Sequence, residues 1–245
     1  TKKGKKGDKV SVTYNGMASW NAPTVLPKMA NSLEFAETYN ASAANSGLTA
    51  PFGDDQINRI KEYMADPNSV PVTSPNPNDP NHWGWENANA NVDWFREYIK
   101  PWAFNQKHDL AVSGGSKSTS YYTSFGFLDQ GGQLRYGDDQ FSRFNVTSNV
   151  HSEPTSWMRV DMRMRFAKSK TDYPFPYSDL SGNWFHLAGT RQPIWPVRNP
   201  DGQLSQISAI PYFNSGGRSI NTSNDLWLTG ALELEPVKNW KINMD

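Results

Sequence analysis

One stretch of the chain, residues 157–168, restricts the fold more than any other. Apolar side chains occupy alternate positions of it and charged ones fill the positions between. The apolar set is Met158, Val160, Met162, Met164 and Phe166, and the charged set is Arg159, Asp161, Arg163 and Arg165. Because successive side chains of a strand point to opposite faces, a strand here has one apolar and one charged face, whereas a helix would spread the charges around every side. About ten alternating residues are what a tilted strand needs to cross a bilayer. For this stretch alone, a half-buried strand of a soluble sheet is the alternative.

Further strands are predicted on both sides of this stretch, and their connections alternate in length. The predicted strands cover residues 9–20, 107–113, 118–129, 141–150, 157–168, 225–235 and 240–245. The connections near 114–117, 151–156 and 236–239 are short, whereas those at 21–106, 130–140 and 169–224 are longer. Barrels of the outer membrane have short periplasmic turns and long extracellular loops. The sequence therefore predicts an all-β fold: part of an antiparallel up-and-down transmembrane β-barrel, about seven strands, with long extracellular loops containing short helices.

Helix signals lie within the first long connection. Asn31 and Glu34 have the spacing of a capping box, so a helix is expected after Asn31. A second helix is predicted from Asp54 or Asp55 to a point before Pro67, and a short third one within residues 91–99.

The composition gives no support to several classes of function. The 245 residues carry a formal net charge of zero, so there is no electrostatic reason to expect nucleic acid as a partner. Cysteine is absent, which excludes a disulfide framework and a thiolate zinc site. The four histidines are scattered without the spacing of metal ligands, and no catalytic constellation emerges. We therefore expect no enzyme activity, no metal site and no cofactor.

Tryptophans in the long connections are the candidate ligand contacts, because sugar rings present apolar C–H faces on which aromatic rings can stack. These are Trp83, Trp85, Trp94 and Trp102 in the first long connection, with Trp184 and Trp195 in the third. The alternative is that they pack the loops together or anchor the protein at the membrane interface.

Several segments resemble those of SusC/RagA-like TonB-dependent outer-membrane transporters. Residues 1–7 followed by 10–16 resemble the junction at which the plug ends and the barrel begins. The other segments are residues 93–95, NQKHDLAVSGG at 105–115, SYYTSFGFLDQ at 120–130, residues 141–145, IWPVRNPDGQ at 194–203 and LEPVKNW at 234–240. The resemblance implies a plugged barrel in which residues 1–8 are the end of the plug domain. Residues 9–245 would be the N-terminal part of the barrel, with long loops at 21–106 and 169–224, and the chain would be a piece of a larger protein. The charged set of 157–168 would then face the lumen and the apolar set would face lipid.

The resemblance also implies a function. It implies an importer in the outer membrane of a Gram-negative, Bacteroidetes-like cell, which takes up oligosaccharides with a SusD-like surface lipoprotein. The TonB complex would drive it through parts of the protein that are missing here. Peptide import by the same architecture is the nearest variant. A soluble β-rich carbohydrate-binding or adhesion module is the alternative from another class.

Overall fold

The computed structural model describes Gly7 and residues 9–175 and 184–245. Its main element is a seven-stranded antiparallel sheet in which strands that follow one another along the chain are neighbours. The strands are β1 (Ser11–Asn21), β4 (Ala103–Gly115), β5 (Thr119–Gly131), β6 (Gln140–Thr155), β7 (Met158–Phe175), β8 (Gly217–Val237) and β9 (Trp240–Met244). A separate hairpin, β2 (Pro75–Asn76) and β3 (Asp79–Trp83), lies in the first long connection. The predicted up-and-down order is confirmed, and the sheet is open, with β1 and β9 at its edges.

The strand register keeps mainly apolar side chains on one face of the sheet and mainly polar ones on the other. One row of paired residues is apolar throughout and consists of Tyr14, Leu110, Phe125, Val146, Phe166 and Leu226. The next row points to the other face and consists of Thr13, Ala111, Ser124, Thr147, Arg165 and Trp227. We call these two surfaces the apolar face and the polar face. A slip of one residue in any pairing would exchange them, so the pattern fixes the register.

No described residue covers the middle of the apolar face. Met162 is 62% exposed and Leu228 is 69% exposed. Val160, Met164 and Leu232 are partly exposed as well. Transfer of a large apolar side chain out of water is favourable by about 1.5–3 kcal/mol, so such a surface needs an apolar environment. A lipid bilayer supplies one.

The apolar region crosses the sheet obliquely. On β1 and β4 the apolar region extends as far as Trp20 and Phe104, which are paired with each other. The row of paired residues that starts with these two reaches Asp172 when it is followed across the sheet to β7. On β7 the apolar run already ends at Phe166, six positions earlier. Strands of a membrane barrel are tilted by about 35–45° from the membrane normal, so an apolar belt parallel to the membrane must cut the rows in this way.

Most strands are longer than predicted, and the extra length of β7 and β8 shortens the connection predicted at 169–224. β7 continues to Phe175 and β8 begins at Gly217, and the two stay paired from Ala167↔Asp225 to Phe175↔Gly217. The apolar alternation stops after Phe166, but backbone pairing needs no apolar side chains and therefore continues. The first long connection is also shorter than 21–106, because β4 begins at Ala103. Of the predicted end of the plug, residues 1–6 and 8 lie outside the described residues.

Helices occupy the long connections, as predicted. They are α1 (Ser32–Asn45), α2 (Asp54–Ala65), α3 (Trp94–Tyr98), α4 (Trp184–Thr190) and α5 (Ile210–Ser215). The capping box at the start of α1 is confirmed: Asn31 Oδ1 accepts from the Glu34 backbone N–H, and Glu34 Oε2 accepts from the Asn31 backbone N–H, both at 2.9 Å. In the described parts of the chain, no helix has the length and apolar character required to span a membrane.

The long connections pack against one another and contain most of the buried apolar residues. A larger cluster joins α3, α4 and α5 through Trp94, Phe95, Tyr98, Leu187, Ile210 and Phe213. A smaller one joins α1 and α2 to the third long connection through Ala36, Phe52, Ile60 and Ile194. The loops are thus a folded body with its own core, held at the end of the sheet where β7 and β8 extend furthest.

Candidate functional site

A cleft of about 690 Å³ opens where the polar face of the sheet meets the long connections. Asn105, Gln130, Phe141 and Thr171 form one row on the polar face and lie in its wall. Tyr173, two positions further along β7, lies there as well. The sheet therefore builds one side of the cleft from side chains that alternation alone brings to the same surface.

The loops build the other side. Trp184 lies at the start of α4, and Gln133 lies in the connection between β5 and β6. The Gln133 Nε2 donates to the Asn21 carbonyl (3.1 Å), which joins this connection to the end of β1. Its Oε1 is buried and accepts no hydrogen bond from a described residue. A buried acceptor left unpaired costs about 1–3 kcal/mol, so a ligand hydroxyl or amide N–H bound there would be stabilised.

The polar groups of the cleft are mainly neutral amides. Asn105 is 4% exposed, and its Nδ2 reaches the Ala103 carbonyl only at 3.5 Å. The carboxylates are already engaged: Asp139 Oδ1 accepts from the Leu134 backbone N–H (2.9 Å), and Asp172 accepts from Lys170 (2.9 Å) and Arg218 (2.7 Å). Amides both donate and accept hydrogen bonds. The cleft is thus suited to a neutral ligand rich in hydroxyl or amide groups.

Loop-to-loop contacts fix the entrance of the cleft beside Leu134. The Tyr136 hydroxyl donates to Glu97 Oε1 (2.5 Å), and Arg135 Nε donates to the Glu97 carbonyl (2.9 Å). Burial, followed by the hydrogen bond and the negative charge of Glu97, raises the pKa of Tyr136 to about 12. The neutral phenol is therefore the form that holds α3 against the β5–β6 connection.

Trp184 is the predicted tryptophan that lines the cleft. Its ring is partly buried and contacts Phe185 edge-on, with the ring centroids 5.5 Å apart. Trp94 is 0% exposed, and its indole N–H donates to the Gln192 carbonyl (2.9 Å). Trp94 is therefore a core residue of the loops with no ring face open to a ligand.

The remaining predicted tryptophans lie away from the lining of the cleft. Trp195 is partly buried, with the Arg191 guanidinium 5.8 Å from its ring centroid. Trp83 ends β3 and Trp85 follows it, and both are partly buried. Trp102 is 59% exposed immediately before β4, in the position of an interfacial anchor.

The charged set of β7 shares the polar face, as its parity predicts. His151 lies between Asp161 (3.2 Å) and Glu153 (3.3 Å), and Arg159 Nη1 donates to Glu233 (2.7 Å). Arg163 and Arg165 line a smaller groove of about 380 Å³ with Trp227 and Tyr122. Among the described residues, no group of three or more His, Cys, Asp or Glu side chains could hold a metal ion. These residues offer charge for contacts along the polar face.

Sequence reasoning missed the amides of the cleft. Asn105, Gln130 and Gln133 look like ordinary polar positions of strands and turns in the sequence. The pairing of β4 with β5 could have revealed them, because it places Asn105 directly opposite Gln130 on the polar face.

Comparison with known proteins gives the same architecture. No protein-family model matches the chain. The chain is 23% identical over 242 residues to TonB-dependent receptor P26 of Formosa agariphila, with 96% of this chain and 20% of the relative covered. It is also 23% identical over 252 residues to TonB-dependent receptor SusC of Bacteroides thetaiotaomicron, with 89% and 21% covered. The chain thus spans about a fifth of the length of the curated relatives it matches.

Solved structures of the RagAB peptide importer have the same fold. The closed-closed state aligns with a TM-score of 0.65 at 20% identity, over 99% of this chain and 28% of that one. The open-open state aligns with a TM-score of 0.64 at 19% identity, with the same shares covered. This likeness confirms the predicted fold class, a partial antiparallel barrel sheet with long loops.

Proposed function

We propose that this chain is a SusC/RagA-like segment of a TonB-dependent receptor and forms part of an importer that takes up oligosaccharides across the outer membrane. The apolar face contacts lipid, and the polar face lines the passage. Both curated relatives are named TonB-dependent receptors, which supports the receptor part of this proposal. No covalent chemistry is involved: the protein binds its ligand and lets it pass.

The cleft beneath the loops is the observation on which the proposal depends. An oligosaccharide presents many hydroxyl groups that donate and accept hydrogen bonds, and the side-chain amides of Asn105 and Gln130 can do both in return. Its rings present apolar faces, for which Trp184 and Tyr173 offer aromatic surfaces. The position of the cleft, at the loop end of the polar face, suits a ligand that enters from outside the cell.

Peptide import is the second candidate. The solved structures with this fold are titled as a peptide importer. A peptide backbone also repeats donors and acceptors that side-chain amides can pair with. The cleft chemistry supports both ligands, and the ring stacking that Trp184 offers favours the sugar.

The proposed assembly includes partners beyond this chain. We infer a SusD-like surface lipoprotein over the loops and the TonB complex at the opposite end, reached through parts of the protein outside this segment. The names SusC and RagAB support a two-component importer. The location would be the outer membrane of a Bacteroidetes-like cell.

A binding experiment with the full-length receptor tests the ligand. The detergent-purified receptor is incubated with a size-fractionated mixture of neutral oligosaccharides and, separately, with a tryptic peptide mixture, and mass spectrometry identifies what stays bound. We expect oligosaccharide retention, with Trp184→Ala and Gln130→Ala each lowering affinity about tenfold, the loss of one contact worth about 1.4 kcal/mol. Trp102→Ala, which changes an exposed ring outside the cleft lining, is the matched control and should leave binding unchanged.

The outcomes separate the candidates. Retention of peptides alone, with the same sensitivity to Trp184→Ala, would replace the oligosaccharide by a peptide. Binding that neither cleft variant weakens would show that this cleft is not the ligand site.

A further inference from the structure

We propose that the apolar face carries a binding site for one membrane lipid whose phosphate headgroup has a net negative charge, with its acyl chain in a groove at Gly230 and its phosphate at Lys168. The site lies on β6, β7 and β8. The inference rests on the proposed function, since it requires the apolar face to lie against a bilayer.

The groove has a volume of about 390 Å³. Apolar side chains in its lining come from three strands: Val150 on β6, Met162 and Met164 on β7, and Leu228 on β8. Gly230 lies among them, and a Cβ atom placed on it would have no heavy atom within 4 Å. The missing side chain therefore leaves a depression in the lipid-facing surface.

Arg163 and Thr229 also lie in the lining, but they form the next row, whose side chains belong to the polar face. The one hydroxyl of the apolar face in the groove is compatible with hydrocarbon. Ser148 Oγ shares a hydrogen bond with Thr123 Oγ1 across β5 and β6 (3.3 Å). An unpaired hydroxyl would be costly in contact with an acyl chain, whereas a paired one is not. A lipid tail can therefore occupy the groove without leaving a polar group unsatisfied.

An apolar path leads from the groove to Lys168. Met162 is paired with Gly230, Met164 with Leu228 and Phe166 with Leu226, and Lys168 is the next position of β7 on the same face. The six residue-to-residue steps from Met162 to Lys168 span ~20 Å at about 3.3 Å per step. At a tilt of about 40° this corresponds to ~15 Å of depth, half of a hydrocarbon core of about 30 Å. The ammonium group thus reaches headgroup level when the groove lies at the bilayer midplane.

The charge at the end of this path is available. No salt bridge joins Lys168 to any residue that the structure describes, whereas Lys170 is paired with Asp172 (2.9 Å). The residues paired with Lys168 are Phe144 and Asn224, and both are uncharged. A lysine ammonium forms charge-assisted hydrogen bonds with phosphate oxygens. The groove and the cation together match a lipid with an anionic phosphate headgroup.

Lipid retention on the full-length receptor tests the site. The receptor in neutral detergent is mixed with phosphatidylglycerol or phosphatidylcholine of the same acyl chains, and native mass spectrometry counts the bound lipids. We expect about fivefold preference for phosphatidylglycerol, the effect of one lysine near a headgroup. Lys168→Glu should abolish this preference, and Gly230→Leu should lower the retention of both lipids. Lys117→Glu, in the exposed turn between β4 and β5, should change neither.

Other results would overturn the inference. Equal retention of the two lipids by the wild type, or an equal effect of Lys117→Glu, would show that no site for an anionic headgroup exists at Lys168. A receptor dimer lost in Gly230→Leu, with no lipid bound, would assign the groove to a second copy of the protein. Barrel insertion is scored separately by resistance to unfolding in unheated SDS. A receptor that fails to insert refutes the proposed function and the lipid site together, whereas an inserted barrel without lipid preference refutes the lipid site alone.

Discussion

Replacement of Met162 by lysine should destabilise the membrane-inserted protein. Met162 is four positions from each end of the apolar run of β7, between Met158 and Phe166, and lies on the apolar face opposite Gly230. This places it near the middle of the hydrocarbon region. A lysine there must either lose its charge or draw its ammonium through lipid toward the interface.

The expected penalty is about 2–4 kcal/mol, the range for lysine on the lipid face of a barrel at the midplane. The side chain can extend toward the interface, but it covers only a few of the ~15 Å that separate the midplane from the headgroups. Arg163→Ala is the matched control, because the next residue of the same strand points to the polar face. It should change the unfolding free energy by less than about 1 kcal/mol.

Urea unfolding of the full-length protein in phospholipid vesicles, followed by tryptophan fluorescence, measures both variants. If the slope of the unfolding free energy against urea concentration is the same for variant and wild type, the difference between their unfolding free energies gives the penalty directly. Equal tolerance of Met162→Lys and Arg163→Ala would refute the assignment of the two faces. It would favour a soluble module in which neither side chain contacts lipid.

Three predictions concern the loops. Trp94→Ala should remove about 3–5 kcal/mol from the stability of the loop core and accelerate limited proteolysis there, while circular dichroism of the strands is preserved. Asn31→Ala should cost about 0.5–2 kcal/mol through loss of the α1 cap, measured by hydrogen exchange of that helix, and unchanged protection would contradict it. The Tyr136 phenol should ionise near pH 12, read at 295 nm against Tyr136→Phe. Because its pKa is raised from the ordinary value of 10.0, the stabilisation is fully present below about pH 10 and is lost as pH rises through about 12. Ionisation at about pH 10 would contradict the buried contact with Glu97.

The sheet could be predicted because its signal is local. The alternation of apolar and charged residues in 157–168 assigns each side chain to one face of the sheet, and in the structure the side chains of β7 lie on the faces so assigned. The ends of β7 and β8 could not be predicted in the same way. Beyond Phe166 the apolar face carries Lys168 and Lys170, so the alternation of hydrophobicity disappears while backbone pairing continues to Phe175.

The helices of the first long connection were predictable from their ends. Asn31 and Glu34 satisfy each other's backbone N–H groups, and this reciprocal pairing depends only on a spacing of three residues. Asp54 and Asp55 lie in the first turn of α2, where the positive end of the helix dipole attracts their negative side chains and the helix is stabilised.

The candidate site was only partly predictable, because its contacts join distant parts of the chain. Trp94 and Trp184 are indistinguishable as tryptophans in polar loops. What makes Trp94 a core residue is a hydrogen bond to Gln192, 98 positions away. The cleft likewise depends on the β4–β5 register and on the link from Gln133 to Asn21, neither of which a local pattern reveals.

The central claim is that one face of β7 contacts hydrocarbon and the other lines a passage. Site-directed spin labelling of single cysteines from 158 to 166 in the vesicle-inserted full-length protein tests it most directly, and this segment has no cysteine of its own. We predict a period of two: high collision rates with dissolved oxygen at Met158, Val160, Met162, Met164 and Phe166, and low rates at the charged positions between them. Uniform rates along the strand, or maxima at the charged positions, would contradict the claim.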